Sequence, residues 1–204
     1  MRAITTEEKK STDTVRERTG GRSAKVREAI LQAARRILME SGADSLTHRN
    51  VAQYAGVNAS TVYRRWPDRA RLIADVFKNT ADSMVKIPDS GSLATDLLQF
   101  LQMIAAMLSS SEGRKLTEGG ISAMSSGDDM VKSAIRELWE QRFSQAEMIF
   151  EQAAQRGELD YKGQRKAILE MLIAPVWFRI LITQKCVDEE YLITNIRDAL
   201  AMKR

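Results

Sequence analysis

The sequence predicts an all-α fold: a three-helix head carrying a helix-turn-helix, followed by a helical-bundle domain. Three observations predict it. Apolar residues recur at helical spacing along most of the chain, no stretch alternates in the manner of a strand, and 3 prolines in 204 residues leave room for long helices. The 44% hydrophobic content and the chain length are enough to bury a sizeable core.

Residues 1–22 are polar, lack periodicity and end in Gly20-Gly21, so they read as a disordered basic arm. Arg16, Arg18 and Arg22 suit a DNA minor groove, and equally suit a solvated tail without a role. From Lys25, the residues Val26, Ala29, Ile30, Ala33, Ala34, Ile37 and Leu38 mark one face of an amphipathic helix that Gly42 stops. Two short helices follow in LTHRNVAQYAGVNASTVYRRW (Leu46–Trp66). Thr47 caps the first, and Gly56 takes the left-handed turn, a conformation that costs other residues about 1 kcal/mol. Asn58 is placed to cap the second. Ala52 and Gly56 keep the crossing close, and Val51, Ala55 and Val62 supply its apolar face. Trp66 reads as core between the head helices. After Pro67-Asp68 a fourth helix carries Leu72, Ile73, Val76 and Phe77 to about Val85 and bridges the head to the rest. Pro88-Asp89-Ser90-Gly91 closes this domain, which spans 23–86.

The second domain, 87–204, opens with a helix over Leu93–Leu108. Leu97, Leu101, Ile104 and Leu108 form one stripe and Phe100, Met103 and Met107 another, as in a helix buried on two sides. Residues 109–129 are rich in Ser and Gly and read as loops around a short helix. A long helix then runs from Val131 to Ala153 and ends at Gly157. Arg142 falls on its inward stripe, which most often means a structural pair with a carboxylate. Residues 165–183 form another helix, bent at Pro175. The last opens on Asp188-Glu189-Glu190, which complement its N-terminal dipole. These two helices are apolar over more surface than one small domain covers. The excess reads as a homodimer face, with Trp177, Leu181, Leu192, Ile196 and Leu200 in the interface.

Charge divides the chain. Residues 1–80 hold 16 Lys and Arg against 9 Asp and Glu, whereas residues 81–204 hold 15 against 18. A basic first third on an acidic remainder suits a polyanion-binding module attached to a domain with a different task. Cys186 and His48 are the single cysteine and the single histidine. An internal disulfide is therefore excluded, and a metal site is not expected. His48 reads as a helix-start or phosphate-side residue. No Gly-rich phosphate loop, nucleophile elbow or membrane-length apolar run occurs, and the start lacks the apolar core of a secretory signal. The expectations are no catalytic residues, no cofactor, no membrane and a cytoplasmic location.

The run TVYRRWPDRARL (Thr61–Leu72), preceded by THRNVAQYAGVNAS, resembles the DNA-binding domain of TetR family bacterial transcriptional regulators. KVREAILQAARRILMESG upstream extends the resemblance. PDSGSLATDLLQFL, AAQRGELD and APVWFRILITQ resemble the C-terminal domain of one subgroup. The resemblance implies a ligand-responsive repressor that binds a palindromic operator in double-stranded DNA as a homodimer. It also implies a C-terminal pocket for a small-molecule effector that releases the DNA. Carried onto these positions, it implies phosphate contacts from Thr47, Tyr63 and Arg69, and base-edge contacts from Arg49, Ser60 and Arg64. Ala59 stands where a lysine is frequent, which leaves only an apolar touch there.

For the effector, Met103, Met107, Trp139, Phe143, Trp177 and Phe178 are candidates for an apolar pocket, with Arg142 as its polar anchor. Each is also ordinary core material. The alternative reading is a helical small-molecule-binding or protein-interaction module whose helix-turn-helix is structural only.

Overall fold

The head and the C-terminal region are built from ten α-helices among the described residues. The computed structural model describes residues 13–125, 127–159 and 164–201. The head comprises α1 (Asp13–Ser41), α2 (His48–Ala55), α3 (Ala59–Arg65) and α4 (Arg69–Met84). Then come α5 (Leu93–Ser109), α6 (Ser111–Ser125), α7 (Asp129–Ala146), α8 (Met148–Gln155), α9 (Arg165–Trp177) and α10 (Glu189–Ala201). No described residue is in a strand, and no single helix among them is long and apolar enough to cross a membrane. Residues 13–22, expected in a disordered arm, continue the backbone of α1, and residues 1–12 of that arm lie outside the described residues.

Two apolar clusters hold these helices. The head cluster gathers Ile30, Ala34 and Ile37 of α1, Val51 and Ala52 of α2, Val62 of α3, and Leu72, Ile73 and Val76 of α4. Its seam does not stop at residue 86, because Leu116 and Ala123 of α6 and Val131 and Ile135 of α7 join the same cluster. The second cluster packs Leu97, Leu101 and Leu108 of α5 against Ile149, Phe150 and Ala153 of α8, Leu169 and Leu172 of α9, and Leu192 and Ile196 of α10. Each fully buried Leu, Ile or Phe contributes roughly 1.5–3 kcal/mol from leaving water.

Several elements depart from the expected pattern. The Ser- and Gly-rich stretch after α5 is mostly a 15-residue helix, α6, which turns 85° from α5. Tertiary packing overrides its weak helix propensity. Gly113 sits where an added Cβ would collide with Met107 O, whereas a Cβ added at Gly120 would rest in ordinary contact, 3.6 Å from the Phe77 ring of α4. Arg35 of α1 also pairs with Glu112 of α6. The helix expected over 131–153 is interrupted at Glu147 and divides into α7 and α8. Pro175 lies inside α9, and just beyond it the helix widens into a π-helical turn, Phe178–Ile182, closed by Thr183 N donating to Phe178 O at 3.0 Å. At α10, Asp188 Oδ1 caps the first turn by accepting from Tyr191 N at 2.9 Å.

A polar network fixes the link between the two regions. The Asp96 carboxylate is fully buried, and it accepts from Ser90 N at 2.6 Å and from Arg156 Nη2 at 3.2 Å. Arg156 also reaches Asp89 at 3.1 Å and Glu158 at 2.5 Å, and Glu158 accepts from Leu93 N at 2.7 Å. One guanidinium thus clamps the loop before α5 to the end of α8. The backbone N–H of Leu93, then the Arg156 guanidinium, hold the Glu158 carboxyl below the usual glutamate range.

Candidate nucleic-acid interface and ligand cavity

The turn between α2 and α3 has the geometry its residues dictate. Gly56 is left-handed at φ 64° and ψ 34° and closes α2. Thr47 Oγ1 accepts from Asn50 N at 3.2 Å, so the hydroxyl proton remains available to a partner outside the protein. Asn58 occupies the N-cap position of α3, but its side chain makes no capping bond. Its amide is therefore not spent on the helix, contrary to expectation.

On α3, Val62 is fully buried while Ser60, Tyr63 and Arg64 are exposed, and Ala59 is half-buried. Arg49 on α2 is also exposed. The two neighbouring arginines of α3 differ: Arg65 Nη2 donates to Ser23 Oγ of α1 at 2.9 Å, whereas Arg64 has no ion pair among the described residues. Arg49 has none either. This leaves two uncompensated cations, two free hydroxyls and a serine on one surface.

His48 is not at that surface. It is buried, with its ring stacked on Tyr63 at 4.1 Å and 7° between planes, and Nε2 lies 2.7 Å from Trp66 O. A carbonyl only accepts, so Nε2 carries the proton. The stack orients the exposed phenol of Tyr63. Trp66 is buried as expected, and its Nε1 donates to Asp75 of α4 at 2.9 Å. Arg69 is turned inward. Its Nε donates to Leu46 O at 3.0 Å and its Nη2 to Ala43 O, with Asp44 and Asp128 each 3.6 Å away. Arg69 thereby braces the segment before α2.

A cavity of about 580 Å³ lies between α4, α6, α7 and α9. Met107, Trp139, Arg142, Phe143, Trp177 and Phe178 line it, as the sequence suggested. Met103 does not; it packs against the C-terminal core. Sequence reasoning missed Phe77 and Thr80 of α4, Leu116 and Ile121 of α6, and Glu170 and Ile173 of α9. The signal for Glu170 and Ile173 was present in their helical spacing from Trp177. Arg142 donates to Asp82 Oδ1 at 2.6 Å and to Val85 O at 3.2 Å, so this cavity residue grips the C-terminal end of α4.

The expected pairing residues need correction. Leu192 and Ile196 are buried in the chain's own core and Leu200 packs against it, while Trp177 and Leu181, like Phe178 and Ile182, line the cavity. The apolar side chains left exposed on the terminal segments are Met171, Phe178, Ile182 and Ile193. Helical phase accounts for the difference: the stripe that looked surplus is consumed by α5 and α9.

Two protein-family models match the chain. Residues 30–76 match that of bacterial regulatory proteins of the tetR family, and residues 87–199 match a tetracyclin repressor-like C-terminal domain. The chain belongs to the TetR family. It is accordingly a DNA-binding transcriptional regulator with a ligand-binding C-terminal domain, not an enzyme. Among relatives, this TetR-family chain is 30% identical to an uncharacterized HTH-type transcriptional regulator of Bacillus subtilis, YdeS, over 84% of its own length and 86% of the relative's. It is 34% identical to the HTH-type transcriptional regulator AqdR of Rhodococcus erythropolis, over 72% of this chain and 70% of that one. A crystal structure of the TetR family transcription regulator SCO0332 superposes with a TM-score of 0.70 at 25% identity, covering 86% of this chain and 97% of that one.

Proposed function

We propose that this protein represses transcription by binding a palindromic operator as a homodimer, and that a small, largely apolar molecule in the cavity releases it. Two identical heads about a twofold axis match a DNA site of the same symmetry. In this reading α3 enters the major groove. Thr47 and Tyr63 donate to phosphates and set the register, while Arg49, Ser60 and Arg64 reach base edges. The arginine fork matches guanine O6 and N7. Ala59 adds at most an apolar touch, such as to a thymine methyl. The pairing face is centred on Phe178, Ile182 and Ile193, which are 59%, 68% and 49% exposed in the single chain.

The observation that carries the ligand response is the double position of Arg142. It lines the cavity, and it holds Asp82 and Val85 at the end of the helix that begins in the head. A ligand that displaces this guanidinium loosens α4 and favours a head arrangement that no longer fits two successive grooves. The test combines a thermal-shift screen of apolar compounds with operator release. Compounds that stabilise the wild type should release its DNA; Arg142→Met, which removes the same grip on α4, should already bind the operator weakly without ligand, and the compounds, still bound, should weaken it no further. Release from Arg142→Met at wild-type ligand concentrations would sink this coupling.

A further inference from the structure

The polar groups of the cavity assign a chemical class to its ligand, an inference that rests on the cavity being the effector site. We propose that the effector is a bulky apolar cation, with Glu170 as its counter-ion. Most polar side chains in the wall are already spent. Thr80 Oγ1 donates to Val76 O at 2.9 Å and Thr117 Oγ1 to Gly113 O at 2.8 Å, each along its own helix. The charge of Arg142 is neutralised by Asp82 at 2.6 Å. Glu170 differs. Its carboxylate has no hydrogen bond or ion pair among the described residues, yet it shares the cavity-facing stripe of α9 with Ile173, Ala174 and Trp177. Arg142, Asp82 and Glu170 together therefore carry one net negative charge.

The remaining wall is largely aromatic: Phe77, Trp139, Phe143, Trp177 and Phe178. Aromatic faces attract cations through their quadrupole, most strongly where water is displaced. Glu170 is exposed, so the charged end of the ligand meets it at the mouth while the apolar body fills the interior. An anion that drew on Arg142 would leave the Asp82 carboxylate without its partner, and the other donors in the wall unpartnered among the described residues, the indole N–H groups of Trp139 and Trp177, carry no charge. A neutral ligand fills the apolar interior but leaves the Glu170 carboxylate unpaired. A cation meets both demands.

Three probes of similar bulk separate the classes: tetraphenylphosphonium, tetraphenylborate and triphenylphosphine oxide, which are cationic, anionic and neutral. Binding to the full chain is read by quenching of tryptophan fluorescence and confirmed by calorimetry. The cation should bind about tenfold more tightly than either of the others. Glu170→Gln should narrow its advantage over triphenylphosphine oxide to about twofold. Equal or tighter binding of the neutral or anionic probe would overturn the charge assignment while leaving the cavity as a ligand site. An undiminished cation preference in Glu170→Gln would overturn the role of this residue. Binding of none of the three would remove the effector-site reading and this inference with it.

Discussion

Tyr63 stands out from α3 on a buried histidine, and that contact explains how an exposed phenol keeps one orientation. The stack on His48 and the His48 bond to Trp66 O tie the exposed tyrosine to the head core. Tyr63→Phe preserves the stack and deletes only the hydroxyl, so operator affinity should fall by about 0.5–1.5 kcal/mol on every sequence alike. Arg64→Ala should instead relax base preference, by about 1–3 kcal/mol if its contact is bidentate. Competition binding over a panel of operator variants distinguishes them; a uniform loss for Arg64→Ala would show that it touches phosphate only. At this scale the sequence was readable where one residue acts on its own backbone. Thr47 and Gly56 do what their chemistry demands, and Val62 and Trp66 are buried. His48 opens α2 as read, but its burial on Trp66 O, like the bonds of Arg69 to the carbonyls of Ala43 and Leu46, is set by tertiary approach that no local pattern encodes.

Among the elements, α6 and the loop before α5 show how packing decides what propensity leaves open. The composition of 109–129 argued for loops, but Leu116 and Ala123 bury against the head, and Gly113 permits the sharp return after α5. The loop before α5 was legible as a break at Pro88-Asp89-Ser90-Gly91, and its link to AAQRGELD only as a resemblance. The structure supplies its reason: Asp89 and Asp96 of the first stretch pair with Arg156 of the second, and Leu93 N of the first donates to Glu158 of the second. This network makes stability depend on pH. Glu158 releases its proton more readily folded than unfolded, held by Leu93 N and then by Arg156. Its contribution is complete above the ordinary glutamate range and fades as pH falls through the depressed folded value. Thermal melts from neutral to acid pH should therefore decline more steeply for the wild type than for Glu158→Gln. Parallel pH profiles would mean that Glu158 contributes nothing of this kind.

The whole molecule is two domains whose cores share walls. The fold class and most helix positions were legible because apolar periodicity is strong, but the boundary at residue 86 is blurred in space by Leu116, Ala123, Val131 and Ile135, which serve the head. The cavity lies at that seam. Phe77 and Thr80 come from the head's long helix, while Trp139, Arg142 and Trp177 come from the C-terminal bundle. Of the apolar residues in the last helices that read as surplus, internal packing claims Leu192 and Ile196. The basic first third, with Arg49 and Arg64 left uncompensated on its surface, is the electrostatic counterpart of the same division. Phosphate contacts release counterions from DNA, so binding through this surface must weaken steeply with salt. The most direct measurement is fluorescence anisotropy of the protein on duplex DNA from upstream of its own gene, repeated across a series of salt concentrations. The account predicts saturable binding whose logarithm falls linearly with the logarithm of salt concentration. Absence of binding, or binding indifferent to salt, would contradict it.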